Sequence, residues 1–307
     1  MTHVTSRFDA RDPQELEAGL EAARAALAQS RCVVMPTDTV YGIAADAFSS
    51  QAVATLLAAK GRGRSMPPPV LIAQASTLDG LAVDVPAGAR KLADEFWPGA
   101  LTLILHAQPS LAWDLGETRG TVALRVPDDE VARALLRATG PLAVSSANRT
   151  GTPAGATAAA AFEQLGETVE VYLEDGARPV SGEALSSTII DCTLDPPRIV
   201  RVGALSLEAL RAVIPELLDS HGQADPSITA DSTADSLLDG SGPDGPVAET
   251  DRSPGNDGTE FGAPETDIVH ESGSDLPMTI NTDAQGTDVQ DTDGQDGDGP
   301  GESARAS

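Results

Sequence analysis

The chain has 307 residues and carries 47 acidic against 20 basic side chains, a formal net charge of −27. The excess is uneven: residues 222–307 hold 20 acids and two bases, Arg252 and Arg305, with only ten Leu, Ile, Val or Phe, about 12% and below the roughly 20% that a packed core needs. No window approaches the roughly 18 consecutive apolar residues of a membrane span, and the acidity argues against a generic nucleic-acid coat, though less against a local basic pocket, because the tail dominates the sum.

Residues 1–221 are therefore expected to form one globular domain and residues 222–307 an acidic, disordered tail. The opening MTHVTSRFDARD lacks the charged and apolar regions of a secretory signal, so a cytoplasmic location is expected. Cys32 and Cys192 lie in apolar stretches and read as buried free thiols. With neither a CxxC motif nor a Cys/His cluster, no metal site is expected.

In chain order, Asp12, Pro13 and Glu15 give an N-cap, a first-turn proline and a capping-box carboxylate. Leu16, Leu20, Ala23 and Leu27 continue at helical spacing, predicting a helix to residue 29. The apolar run 32–35 reads as a buried strand, 51–60 as a helix and 70–73 as a strand. Strands follow at 101–106 and 121–126. Asp128 or Asp129 caps a helix running to 137, and 142–145 is a strand. A helix at 157–164 precedes late strands at 169–173, 188–192 and 199–202. Ser206 and Glu208 open a last helix, which Pro215 ends or kinks. This order predicts an α/β fold: a single domain with a mixed, twisted open sheet flanked by helices.

Three stretches break the apolar logic. PTDTVYG (36–42) follows the first strand and brings several hydroxyls to a strand's C-terminal end, where ligand loops sit; composition alone favours a plain turn with an Asx bond at Asp38. KGRGR (60–64) puts three cations among glycines at a helix end. A helix C-terminus favours cations, but the dipole does not account for three. SSANRTG (145–151) offers small hydroxyls, an amide and a cation, as a phosphate or ribose loop would. No GxxxxGK[ST] loop occurs, and no Ser/His/Asp set assembles around the four histidines. Such a domain is suited to positioning and charge neutralisation, which phosphoryl and nucleotidyl transfer require, more than to proton shuttling.

These segments, with FWPGALTLIL (96–105), TVALRVPDD (121–129), SSTIID (186–191) and PPRIVRVGALS (196–206), resemble the YrdC domain family and its bacterial threonylcarbamoyl-AMP synthases. They run through residues 14–218 in family order. The resemblance implies a nucleotidyltransferase of tRNA processing. Threonine and bicarbonate form a carbamate that attacks the α-phosphorus of ATP, giving threonylcarbamoyl-AMP and pyrophosphate. It implies Mg²⁺ brought with ATP, and transfer proteins that pass the threonylcarbamoyl group to tRNA. The family's signature falls on Lys60 and Arg62, implied as catalytic and on the phosphates, and on Ser146 and Asn148 at phosphates or sugar. Thr121 and Arg201 match further ATP-binding positions. Thr39 and Arg125 match those that hold threonine, Arg125 at its carboxylate, although a cation on an apolar strand also reads as a structural ion pair.

Trp97-Pro98-Gly99 reads either as pocket wall or as a core aromatic before a turn. Leu71 stands near a histidine of some family members, Met66-Pro67-Pro68-Pro69 replaces a common stretch, and Ala154 replaces a serine. Two other readings compete. One is an RNA-binding module using Lys60, Arg62, Arg64 and Arg149, with weak RNA contact, although aromatics for base stacking are scarce. The other is an inactive nucleotide-binding paralogue of the same fold.

Overall fold

The computed structural model describes residues 5–178 and 186–226. The chain divides into two units, Met1–Gly242 and Pro243–Ser307, and only the first contains described residues. The expected tail lies outside the described residues from 227 onward. Residues 222–225 still bond to the body: the Arg211 guanidinium donates to the Gln223 carbonyl at 2.8 Å and lies 3.8 Å from the Asp225 carboxylate.

The elements in order are β1 (Ser6–Asp9), α1 (Pro13–Ala28), β2 (Val33–Met35), β3 (Gly42–Asp46), α2 (Ser50–Lys60), β4 (Val70–Leu71), α3 (Leu78–Leu81), β5 (Ala82–Val83), α4 (Ala87–Phe96), β6 (Leu101–Ala107) and β7 (Thr121–Arg125). They continue with α5 (Glu130–Thr139), β8 (Leu142–Ser146), α6 (Ala158–Leu165), β9 (Val171–Glu174), β10 (Thr188–Asp191), β11 (Arg198–Arg201) and α7 (Leu207–Val213). Helix starts follow local chemistry. Asp12 accepts from the N–H groups of Gln14 and Glu15, while Glu15 reaches back past the cap to the Asp9 N–H at 2.8 Å. Asp129, rather than Asp128, caps α5. Helix α2 ends on Gly61 in the left-handed region (φ 62°), which glycine adopts without strain. Helix α7 stops at its C-cap Ile214, so Pro215 lies outside it.

The strands form one open sheet in the order β1-β9-β2-β3-β8-β4-β7-β6-β10-β11, with β5 paired to β6 off this path. Pairing is mixed: β1/β9, β2/β9, β4/β7 and β6/β10 are parallel, the others antiparallel. This is the mixed α/β architecture that the element order predicts. Strands β1, β3 and β5 and helices α3 and α4 are additional to that prediction. The strand β3, Gly-Ile-Ala-Ala-Asp, has modest strand propensity and exists because β2 and β8 pair with it on both sides.

Side chains alternate between the two faces of the sheet. Val34, Ile43, Ala45, Leu101, Leu103, Leu105 and Leu124 belong to a core covered by α2, α4, α6 and α7. Val33, Met35, Ala44, Leu71 and Val144 face α1 and α5, whose Ala23, Leu27, Leu135 and Leu136 close a second core. On β6 and β7 the residues opposite the first core are Thr102, Ile104, Thr121, Ala123 and Arg125, and these line a cavity instead of meeting a helix. Cys32 and Cys192 are buried free thiols whose pKa burial pushes up to about 12, which keeps them as unreactive thiols.

Candidate functional site

The cavity measures about 280 Å³ and opens over the second face of the sheet. Its wall takes Thr37 and Thr39 from the loop after β2, Arg62 from the loop after α2, and Pro67, Pro68 and Pro69 before β4. It takes Thr102 from β6, Thr121 and Arg125 from β7, Ser145 and Ser146 from β8, Ser187 before β10, and Arg201 at the end of β11. Six of the eight residues singled out by sequence, namely Thr39, Arg62, Thr121, Arg125, Ser146 and Arg201, therefore meet at one cavity.

Arg125 is the most constrained. Its Nε donates to the Gly99 carbonyl at 2.9 Å, one terminal nitrogen to Thr39 Oγ1 at 3.1 Å and the other to Asp38 Oδ1 at 2.6 Å. The ion pair is largely buried, with side-chain exposures of 7% and 16%. Asp38 Oδ1 also accepts from the Asp128 N–H at 3.1 Å, tying the loop after β2 to the end of β7. A guanidinium carries five N–H groups, and among the described residues three are taken, so two remain for a ligand. Gly99 supplies a carbonyl, whereas Trp97 is a core residue whose indole N–H donates to the Leu101 carbonyl at 2.7 Å.

Arg62 and Arg201 differ in having no acidic partner among the described residues. Arg62 donates to Ser145 Oγ at 3.1 Å, and its buried Nε has no acceptor among the described residues. Arg201 leans on Ser187, donating to its carbonyl at 2.8 and 3.0 Å and to its Oγ at 2.9 Å. Burial lowers the pKa of both, and the charges of Arg125 and Arg62 lower that of Arg201 further. Two guanidinium groups held beside neutral oxygens form a site that an anionic ligand would neutralise.

Lys60 and Asn148 do not line the cavity. Lys60, 3% exposed, lies behind the loop after β8. Its Nζ donates to the carbonyls of Ser146 and Asn148, the latter at 2.6 Å, and reaches Asn148 Oδ1 at 3.4 Å. The Lys60 carbonyl accepts from the Thr150 N–H at 3.0 Å. Burial first, then the neighbouring Arg62 charge, pull the Lys60 pKa down to about 8. Asn148 folds onto its own loop, its amide donating to the carbonyls of Arg149 (2.9 Å) and Thr152 (2.6 Å).

The other basic residues point elsewhere. Arg64 pairs with Asp114 at 2.7 Å, and the Arg64 carbonyl accepts from the Glu117 N–H at 2.8 Å. This clasps the loop after α2 to the β6–β7 connection. Arg149 donates to the Gln164 carbonyl at 2.9 Å. The four cations of an RNA-binding module are thus one buried, one in the cavity, one paired with acid and one bonded to α6.

Sequence reading missed Thr37, Asp38, Thr102, Ser145 and Ser187 as individual contributors. Thr102 carried a signal, a polar residue inside the apolar run LTLIL, and its Oγ1 lies 2.8 Å from Ser187 Oγ. Leu71 lines the cavity, and Ala154 does not. Among the described residues no group of three or more His, Cys, Asp or Glu could hold a metal ion, and no helix is long and apolar enough to cross a membrane.

Fold and cavity together define a class: a mixed α/β domain with an arginine-lined cavity, suited to an anionic ligand, on the open face of its sheet. The chain belongs to the Sua5/YciO/YrdC family, described as "Telomere recombination", whose profile matches residues 25–203. It is 50% identical over 211 residues to a Mycobacterium tuberculosis protein named "Putative threonylcarbamoyl-AMP synthase", covering 69% of this chain and 96% of that one. It is 36% identical to the threonylcarbamoyl-AMP synthase of Bacillus subtilis, covering 72% of this chain and 62% of the relative. The crystal structure of P. abyssi Sua5 complexed with L-threonine superposes with a TM-score of 0.64 at 31% identity, over 73% of this chain and 65% of that one. The crystal structure of E. coli YciO shares the fold at 22% identity, with a TM-score of 0.58 over 67% of this chain and all of the other.

Proposed function

We propose that this chain is an L-threonylcarbamoyladenylate synthase, a nucleotidyltransferase that converts L-threonine, bicarbonate and ATP into threonylcarbamoyl-AMP and pyrophosphate for tRNA modification. The observation that carries the reading is the division of labour among the three cavity arginines. Arg125, neutralised by Asp38 and with two free N–H groups, suits a single carboxylate; Arg62 and Arg201, unneutralised, suit a polyphosphate. The names of the relatives, and the threonine in the P. abyssi complex, support this assignment.

Bicarbonate and the threonine amine condense to a carbamate with loss of water. The carbamate oxygen then attacks the α-phosphorus, and the bond to the β-phosphate oxygen breaks as pyrophosphate leaves. Arg125 holds the amino acid by its own carboxylate, with Thr39 beside it, which keeps that carboxylate from acting as nucleophile and leaves the attack to the carbamate. Arg62, Arg201, Ser146 and Thr121 orient the nucleotide, and the two guanidiniums meet the charge that develops on the leaving group. Lys60 and Asn148 act on the nucleotide through the loop they hold. Mg²⁺ would come with the triphosphate, in keeping with a cavity that no Asp or Glu lines among the described residues and with Asp38 committed to Arg125. The adenylate would pass to transfer proteins acting on tRNA, in the cytoplasm.

The test is pyrophosphate release by the purified full chain with ATP and Mg²⁺, omitting threonine and bicarbonate in turn. The proposal expects release only when both are present. Release indifferent to threonine would refute it.

A further inference from the structure

Thr37 sits in the cavity wall beside Thr39, and both are 3% exposed. A hydroxyl has one proton and two lone pairs. Thr37 Oγ1 donates its proton to the Val40 carbonyl oxygen at 2.5 Å. Its two lone pairs then meet three donors: the N–H groups of Thr39 (3.2 Å) and Val40 (3.3 Å), adjacent in the chain, share one, and the Thr39 hydroxyl, the shortest of the three at 3.1 Å, takes the other. The direction of the hydroxyl–hydroxyl bond follows, with Thr39 as donor. On its other side Thr39 Oγ1 accepts from Arg125 at 3.1 Å. With its proton committed and one lone pair filled, Thr39 has a single lone pair left for a ligand.

Arg125 offers only donors. The two side chains thus present a donor pair next to an acceptor. A carboxylate set against Thr39 would meet lone pair with lone pair, while the same carboxylate on Arg125 leaves the acceptor for a neighbouring N–H or O–H. A freely turning threonine hydroxyl would not discriminate in this way, since it could donate to either group.

We infer that Thr37 is a positioning residue that turns the Thr39 hydroxyl, so that the site selects its amino acid by a hydrogen-bond donor lying beside the carboxylate that Arg125 holds. This rests on the function proposed above.

The experiment compares wild type, Thr37→Val and Thr37→Ser as full chains, measuring KM for threonine and for ATP separately, with melting temperatures alongside. Valine keeps the shape of Thr37 but removes its acceptor oxygen. The KM for threonine should rise roughly tenfold or more in the valine variant, with the KM for ATP within about twofold, and serine should restore threonine KM to within about threefold. An unchanged threonine KM, an equal rise in both constants, or a serine variant no better than valine would overturn the inference. If the valine variant does not fold, calorimetric titration of the wild-type chain compares L-threonine with 3-methyl-2-oxobutanoate, which places an acceptor where the amino acid has a donor. The oxo acid should bind at least tenfold more weakly, and equal affinity would overturn the inference. Wild-type turnover indifferent to threonine would overturn both this inference and the function. Threonine-dependent turnover with an unaffected valine variant would overturn this inference alone.

Discussion

Arg125 and Lys60 illustrate how differently two buried cations are used. Arg125 is held by two loops at once and still has two donors to offer, so its removal should act on one substrate. Arg125→Ala removes the N–H donors left for the substrate carboxylate; a charge-assisted hydrogen bond is worth about 1.5–3 kcal/mol, which predicts roughly a 10- to 100-fold rise in threonine KM and a much smaller change for ATP. Steady-state titration of each substrate checks this, and an equal effect on both would discredit the assignment. Lys60 has three N–H donors for three oxygens, and the neutral amine has only two. Deprotonation should therefore loosen the loop that carries Ser146. With a pKa near 8, kcat/KM for ATP should fall as pH rises through about 8. Stability moves the other way. The unfolded chain keeps the lysine proton up to the ordinary 10.5, so the cost of burying the ammonium, complete below about pH 8, is relieved between about 8 and 10.5. Lys60→Met should be at least tenfold slower at pH 7 and lack the basic limb; a wild-type profile flat from pH 7 to 9.5 would contradict this role.

The clasp between two loops belongs to a larger scale. Gly116 has φ +109°, and a Cβ there would lie 2.6 Å from the Arg64 carbonyl oxygen, so the contact accepts only glycine. Gly116→Ala should cost about 1–3 kcal/mol from backbone strain, read as a lower melting temperature. It should also raise the KM for ATP more than that for threonine, because the displaced loop carries Arg62. A variant with wild-type stability and kinetics would show that the clasp is incidental. At this scale the sequence was legible wherever a run was long and uniformly apolar or well capped: α1, α2, β6, β7 and β8 follow their patterns to within a few residues. It was silent where tertiary contacts decide. The apolar stripe of α4 is only Ala89, Leu92 and Ala93, and β1 owes its strand form to parallel pairing with β9.

For the whole molecule, the α/β class follows from element order, and the location of the site follows from strand periodicity. Reading β6 and β7 at period two separates Leu101, Leu103, Leu105 and Leu124, which face the first core, from Thr102, Thr121 and Arg125, which face the cavity. That separation is present in the residues, yet its meaning depends on knowing that α1 and α5 leave this part of the face uncovered. Lys60 and Asn148 illustrate the converse. Their residue types point to phosphate, and only the folded loop shows the lysine turned onto carbonyl oxygens. Asp38 and Thr37 were visible as part of a polar loop, but their roles follow from which atom donates to which, and that is a three-dimensional fact.

The central claim is that one cavity joins threonine, bicarbonate and ATP with the carbamate as nucleophile. Mass analysis of the adenylate made by the full chain from ATP, L-threonine and ¹³C-bicarbonate tests it most directly. The account predicts one adenylate containing threonine and one labelled carbon. An unlabelled threonyl adenylate, formed by attack of the amino acid's own carboxylate, would contradict both the reaction and the role of Arg125.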